Sequence, residues 1–238
     1  SLDQMRSNLQ YAVMIDAGSS GSRVYIYVWP PHSGDTRQLL QIRLLHDQLG
    51  KDVYHSITPG LSSCATAPEN ASDYIAPLLR FAADHIPVGK HKETPLYILA
   101  TAGMRMLEKP VQNLILDDLR KDIPKNFSFQ FSPNNVQVIS GKEEGIYSWI
   151  SINYLMGRFD HSFNKAPLVD VEVEKTRLKR MSTISMIEMG GASIQIAFEI
   201  STNEQYNLLK KSFTDEAFSN SVSEFNLGCS EHDTNHQY

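Results

Sequence analysis

"VMIDAGSSGSRVYIYVW", residues 13–29, decides the fold. An apolar, β-branched run ends on the carboxylate of Asp16, turns through glycines and serines, and resumes as a second apolar, aromatic run. Two such runs around a short Gly/Ser turn predict an antiparallel hairpin, with strands over 11–15 and 24–29 and Pro30-Pro31 ending it. Residues with little or no side chain let backbone N–H groups converge on phosphate oxygens, and an acid at the strand end can hold the waters of a Mg2+ or Ca2+ ion. A lone Gly/Ser turn is equally ordinary hairpin punctuation, so a second copy has to decide.

That copy exists. "MIDAGSSGSRVYIY" (14–27) and "MIEMGGASIQIAFE" (186–199) share one plan: Met-Ile, an acid, one residue, Gly, small residues, then a second strand. Asp16 aligns with Glu188 and Gly18 with Gly190. Two hairpins of one design, opening each half of the chain, predict two related lobes and favour phosphate binding over simple turn chemistry.

Between them the pattern alternates. A third strand is expected over 38–45, a helix over 72–85 with Ile75, Leu78, Leu79 and Ala82 on one stripe, and a strand buried on both faces over 95–100. A helix carrying Val111, Leu114, Ile115 and Leu119, a strand over 136–140 and a helix over 143–155 follow. Strands alternating with helices after a hairpin predict an α/β sheet covered on both faces. Residues 168–180, "LVDVEVEKTRLKR", run acidic then basic and predict an exposed hairpin whose charges face each other.

The bulk properties narrow the class. The 238 residues are 41% hydrophobic and 21% charged, with a net charge of −5 and no dense Lys/Arg run, so nucleic acid is excluded as the main ligand. No apolar stretch reaches the roughly 20 residues of a membrane-spanning helix. Cys64 and Cys229 are the only cysteines, leaving one disulfide and two free thiols as alternatives. Asn70-Ala71-Ser72 and Asn126-Phe127-Ser128 fit the N-glycosylation sequon. His232 and His236 have i, i+4 spacing but no third ligand, and are not assigned to a metal.

Four motifs in order resemble the apyrases, the nucleoside triphosphate diphosphohydrolases: "DAGSSGSR" (16–23), "ATAGMR" (100–105), "ISGKEEGIYSWI" (139–150) and "EMGGASIQIAF" (188–198). "KHKETPLYIL" (90–99) and "EFNLGC" (224–229) look most like the Golgi and lysosomal branch, which favours nucleoside diphosphates such as UDP. The resemblance implies an α/β fold of the actin/Hsp70-like (RNase H-like) type, here one complete lobe over 1–140 and the beginning of a second over 141–238. It implies metal-dependent hydrolysis of nucleoside di- and triphosphates by a base-activated water. It also implies a Golgi or other secretory or lysosomal lumenal setting, with membrane contact only through segments absent from this chain.

Carried onto this sequence, the resemblance makes Glu144 the catalytic base, with Ser193 and Gln195 positioning the attacking water. Ser19, Ser20, Gly21, Ser22 and Thr101, with Gly190, Gly191 and Ala192, bind phosphate, while Asp16 and Glu188 belong to the metal shell. Arg105 is expected to brace the site, Glu143 to complement the helix N-terminus, and Tyr147 and Trp149 to pack the helix. The family carries Asp where this chain has Glu188. The chain also stops at Tyr238, where the second lobe has barely begun, which suggests a piece of a longer enzyme with part of that lobe's core exposed. The alternative is a catalytically impaired nucleotide-binding scaffold of the same fold. A kinase or exopolyphosphatase of the superfamily is disfavoured by "EEG" after the third strand.

Overall fold

The computed structural model describes residues 8–35, 38–160, 168–173, 176–228 and 237–238. It divides into two compact units. The first comprises 1–32, 40–141 and the short segment 190–193; the second comprises 33–39, 142–189 and 194–238.

The first unit is built on a six-stranded mixed sheet. Strands β1 (Gln10–Ala17) and β2 (Ser22–Trp29) form the predicted hairpin, with Asp16 opposite Arg23 and Ala17 opposite Ser22. The far edge of β2 is shared by β3 (Arg43–Leu44) and β4 (Tyr54–Ile57). On the other side β5 (Leu96–Ala100) runs parallel to β1, and β6 (Val136–Val138) parallel to β5. The third strand is therefore much shorter than the 38–45 expected from sequence: only two of its residues find partners on β2.

Helices α1 (Ala71–His85), α2 (Ala102–Arg105) and α3 (Lys109–Asn126) lie between these strands. Ile75, Leu78, Leu79 and Ala82 of α1 are all fully buried, so the predicted stripe is the core-facing one. On α3 the stripe is Gln112, Ile115, Leu116, Leu119 and Ile123, while Leu114 is 57% exposed. Apolar periodicity alone missed Gln112, whose amide is satisfied by donating to the Leu107 carbonyl at 2.8 Å. The Asp118 carboxylate accepts from the Ser72 amide at 2.8 Å, so α3 caps the start of α1.

Along β1 the residues alternate, with Tyr11, Val13, Ile15 and Ala17 buried. The parallel register sets Val13, Ile15 and Ala17 beside Leu96, Ile98 and Ala100, which makes one continuous apolar face. Each valine, leucine or isoleucine among them contributes roughly 1.5–3 kcal/mol on burial. The opposite face, with Ala12, Met14, Tyr25, Tyr27 and Leu99, is only half-buried, and Tyr97 is exposed. β5 is thus an alternating strand and not one sealed on both sides.

In the second unit, α4 (Gly141–Leu155) supplies Trp149, whose ring meets Phe159, Phe225 and Tyr238 at 5.7, 6.1 and 5.8 Å. The Arg180 guanidinium lies 4.0 Å from the Tyr238 ring centroid and forms a buried ion pair with Glu199. Asn153 is fully buried. Its amide donates to the Trp149 and Ile184 carbonyls, and its oxygen accepts from the Ile184 amide at 2.7 Å. Trp149 is packing, as expected, but Tyr147 is 42% exposed. Strands β7 (Leu168–Val173) and β8 (Thr176–Met181) pair antiparallel, and the register sets Asp170 opposite Lys179, a pair of opposite charges as predicted from sequence.

Strands β9 (Met186–Met189) and β10 (Ile194–Ala197) form the second hairpin. Its register places Glu188 opposite Gln195, one pair before a four-residue turn, as Asp16 and Arg23 sit one pair before theirs. The echo read in the sequence is therefore one of geometry. Burial differs: Ile187, Met189, Ile194, Ile196 and Phe198, the counterparts of positions flanking the first turn, are 54–76% exposed. Helices α5 (Asn203–Ser212) and α6 (Asp215–Ser221) close the described chain, each N-capped by a threonine hydroxyl, Thr202 and Thr214. The Lys142 ammonium donates to the Ser219 and Val222 carbonyls at the end of α6. Among the described residues no helix is long and apolar enough to cross a membrane. Cys229, His232 and His236 lie outside the described residues; Cys64 is a buried free thiol.

Candidate functional site

In the first unit, three segments converge on Ser19. A Cβ added to Gly60 would stand 2.6 Å from the Ser19 carbonyl oxygen and 2.7 Å from that of Gly18. One added to Gly103 would stand 2.8 Å from the Ser19 Cα, and one added to Gly191 2.7 Å from the Ser19 Oγ. Real Cβ atoms do not approach so closely. The described glycines in the left-handed region are Gly34, Gly50 and Gly157, none of them here, so these glycines serve close approach and not an unusual φ. The first turn, 18–21, is thereby clasped by Gly60, by the start of α2 and by the second turn.

The second turn is closed by the Gly190 amide donating to the Ser193 carbonyl at 2.9 Å. Arg105, the last residue of α2, donates to the Ile139 carbonyl at 2.9 Å and to the Ser193 hydroxyl at 3.3 Å. A fixed guanidinium fork suits this bracing task. Thr101 precedes α2; its amide donates to the Ala17 carbonyl at 3.2 Å and its hydroxyl does not cap the helix. The structure thus brings together Ser19, Thr101, Gly191, Ser193 and Arg105. Ser20 is exposed at the turn's tip, and Gly21 is pressed against Ile57, where a Cβ would lie 2.6 Å from the carbonyl oxygen.

Ser22 has a different setting. It is 1% exposed, and its hydroxyl shares a 3.0 Å hydrogen bond with the Tyr74 hydroxyl, which in turn donates to the Pro59 carbonyl. Its side chain fastens the turn to α1. Asp16 is exposed. Arg23 opposite it has its guanidinium pKa raised, chiefly by the hydrogen bond to the Tyr25 hydroxyl, with the charge of Asp16 adding to the effect.

In the second unit, the first turns of α4 lie against the β9–β10 rung. A Cβ on Gly145 would sit 3.5 Å from that of Gln195 and 4.0 Å from that of Ala197. Glu144 occupies the position just before that glycine. Gln195 is 8% exposed, and its side-chain oxygen is buried without a hydrogen-bond partner. A buried acceptor left unsatisfied costs about 1–3 kcal/mol, so it marks a place where an outside donor belongs. Glu188, opposite it in the ladder, accepts a hydrogen bond from the Ser148 hydroxyl.

Sequence reasoning missed Gly60, Gly103 and Ser148. The i, i+4 spacing of Ser148 from Glu144 could have found the last, and the small residues of "ATAGMR" the second. All the donors collected are oxygens: carboxylates, hydroxyls and one amide oxygen. No cluster of three or more His, Cys, Asp or Glu that could hold a metal exists among the described residues. Taken unit by unit, oxygen donors of this kind suit a hard divalent cation and not a dedicated transition-metal cage.

A family model for the GDA1/CD39 nucleoside phosphatases matches residues 3–229. The chain belongs to this family. Similar relatives include the ectonucleoside triphosphate diphosphohydrolase 7 of Xenopus tropicalis, 47% identical over 99% of this chain, and the human ectonucleoside triphosphate diphosphohydrolase 4, 46% identical over 99%. The Caenorhabditis elegans nucleoside-diphosphatase mig-23 is 40% identical over 99%. The chain spans 39% of the length of each of these three. A crystal structure of nucleoside triphosphate hydrolases from Neospora caninum matches 85% of this chain and 41% of its own at 21% identity, with a TM-score of 0.56. The family's fold is accordingly the one present here, α/β of the actin/Hsp70-like (RNase H-like) type.

Proposed function

We propose that this chain carries the phosphate- and water-handling part of an enzyme that hydrolyses nucleoside di- and triphosphates, UDP and GDP among them, to the monophosphate and phosphate. The observation that carries this reading is the convergence of Gly60, Gly103 and Gly191 on Ser19. Three glycines stripped of side-chain volume around one turn leave backbone amides as the recognition groups, which is what an anionic phosphate needs.

In this reading the backbones of 18–21 and 190–192, with the Ser19, Ser20 and Thr101 hydroxyls, hold the phosphates. Glu144 takes a proton from a water as its oxygen bonds to the terminal phosphorus, and the bridging P–O bond breaks with its electron pair going to the departing nucleotide phosphate. Gln195 supplies the orphaned amide oxygen as acceptor for the water's second hydrogen, and Ser193, held by Arg105, fixes its direction. Asp16 and Glu188 are the carboxylates for a Mg2+ or Ca2+ ion, which when bound neutralises phosphate charge.

The proposal takes 1–140 and 141–238 as the two lobes' contributions and assigns the protein to the Golgi or another secretory or lysosomal lumen. Exposed Asn70 and Asn126 at the two sequons support that setting, as does the "ecto" in its relatives' names.

The test is phosphate release from UDP, GDP and ATP, with Mg2+, Ca2+ or chelator, by the protein and its Glu144→Gln variant. Metal-dependent release that falls about 10²- to 10⁴-fold in the variant is expected. Nucleotide binding without turnover in the unaltered protein would instead identify a scaffold.

A further inference from the structure

Serines within helices commonly return their hydroxyl to the carbonyl one turn earlier. Ser151 of α4 does so, donating to the Tyr147 carbonyl at 2.8 Å. Ser148, three residues before it, does not: it donates to Glu188 Oε2. Glu188 is also where the second hairpin departs from the first, since the equivalent rung position there is an aspartate, Asp16. The extra methylene lengthens the arm by about 1.5 Å and adds a rotatable bond. A longer acid at that rung needs an anchor that a shorter one does not. α4 offers one, because Gly145 seats the helix on Gln195, the ladder partner of Glu188. Ser148 then follows Glu144 on the same stripe, about 6 Å along the axis.

We propose that Ser148 is a positioning residue that clamps the long Glu188 arm against α4, so that a glutamate does at this rung what an aspartate does at the first. This rests on the assignment of Glu188 to the metal shell. One carboxylate oxygen is committed to the serine hydroxyl, and the clamp sets the direction in which the other is presented to a hydrated cation. Loss of such an outer partner commonly weakens metal affinity 10- to 100-fold.

The test is Mn2+ binding followed by electron paramagnetic resonance, together with the Mn2+ half-saturation of phosphate release, on the full chain. Ser148→Ala is expected to weaken Mn2+ about tenfold, and Ser148→Thr, which keeps the hydroxyl, to stay near the unaltered protein. In a Glu188→Asp background, where the arm is too short to reach the helix, Ser148→Ala should make no further difference. The same loss in both backgrounds would mean that Ser148 acts through the fold, overturning the inference. Weakening by Glu188→Gln without weakening by Ser148→Ala would overturn it while leaving Glu188 in the metal shell. Unchanged Mn2+ affinity in Glu188→Gln would remove both assignments together.

Discussion

Replacing Gly60 by alanine tests the cradle most directly. Gly60 has φ −63° and ψ 162°, a conformation alanine adopts freely, so backbone strain is not at issue. The added methyl would lie 2.6 Å from one carbonyl oxygen and 2.7 Å from another, where ordinary contact begins near 3.4 Å. Both obstacles are backbone, so no rotamer relieves them. The turn must move by about 0.8 Å, at an overpacking cost of about 1–3 kcal/mol. Reacting groups tolerate displacements of about 0.5 Å, and a shift of about 1 Å costs on the order of 10²-fold in rate. Gly60→Ala should therefore lose about 1–3 kcal/mol in urea denaturation and about 10- to 100-fold in metal-dependent phosphate release. Gly89→Ala, with nothing within 4 Å of the new methyl, is the control and should change neither. Gly191→Ala meets only the Ser19 hydroxyl, which can rotate, so it should keep its stability while activity falls. Wild-type phosphate release and an unshifted urea midpoint in Gly60→Ala would refute the reasoning.

Three further outcomes are expected. Gln195→Met removes the orphaned buried oxygen, so stability should hold or rise by up to about 1 kcal/mol while phosphate release drops at least about tenfold. A clear loss of stability would mean that the oxygen is already partnered. Ser22→Ala should cost about 0.5–1.5 kcal/mol with activity within about twofold, whereas a large rise in the nucleotide KM would place its hydroxyl in the phosphate site. Burial raises the Cys64 thiol pKa, so the folded state keeps its proton longer than the unfolded chain. This contribution to stability is constant below the ordinary thiol value near 9 and is lost as pH rises from there towards the folded value. The native thiol should alkylate far more slowly than the thiol in urea, and rapid native alkylation at pH 8 would count against its burial.

The hairpins were legible because their signals are local: alternation, an acid, a run of small residues. The registers then show that the two copies match rung for rung, which the alignment of letters could only suggest. What escaped was set by partners distant in the chain. Nothing in 38–45 reveals that only Arg43 and Leu44 meet β2, because pairing at a sheet edge is decided by the neighbour. Leu114 and Gln112 exchange expected places because a glutamine amide can be satisfied inside while a leucine is tolerated outside. In the site, "DAGSSGS" marks the turn but cannot separate Ser19, ringed by glycines, from Ser22, locked to Tyr74 from 52 residues away. Gly60 carries no motif at all; its importance exists only once the chain is folded.

The placing of 190–193 within the first unit bears on how the protein is made. The turn that Ser19 faces is encoded some 170 residues after its own. At about 5–20 residues per second, roughly ten to thirty seconds of synthesis separate them. The first sheet and its helices have all their strands well before then, so a nascent chain can fold that core early while the proposed phosphate site still lacks a wall. Nucleotide would then act as a late-binding ligand that rewards only chains translated past Ser193. Ribosome-stalled chains ending before and after that point offer a direct measure of when the ability to hold phosphate is acquired.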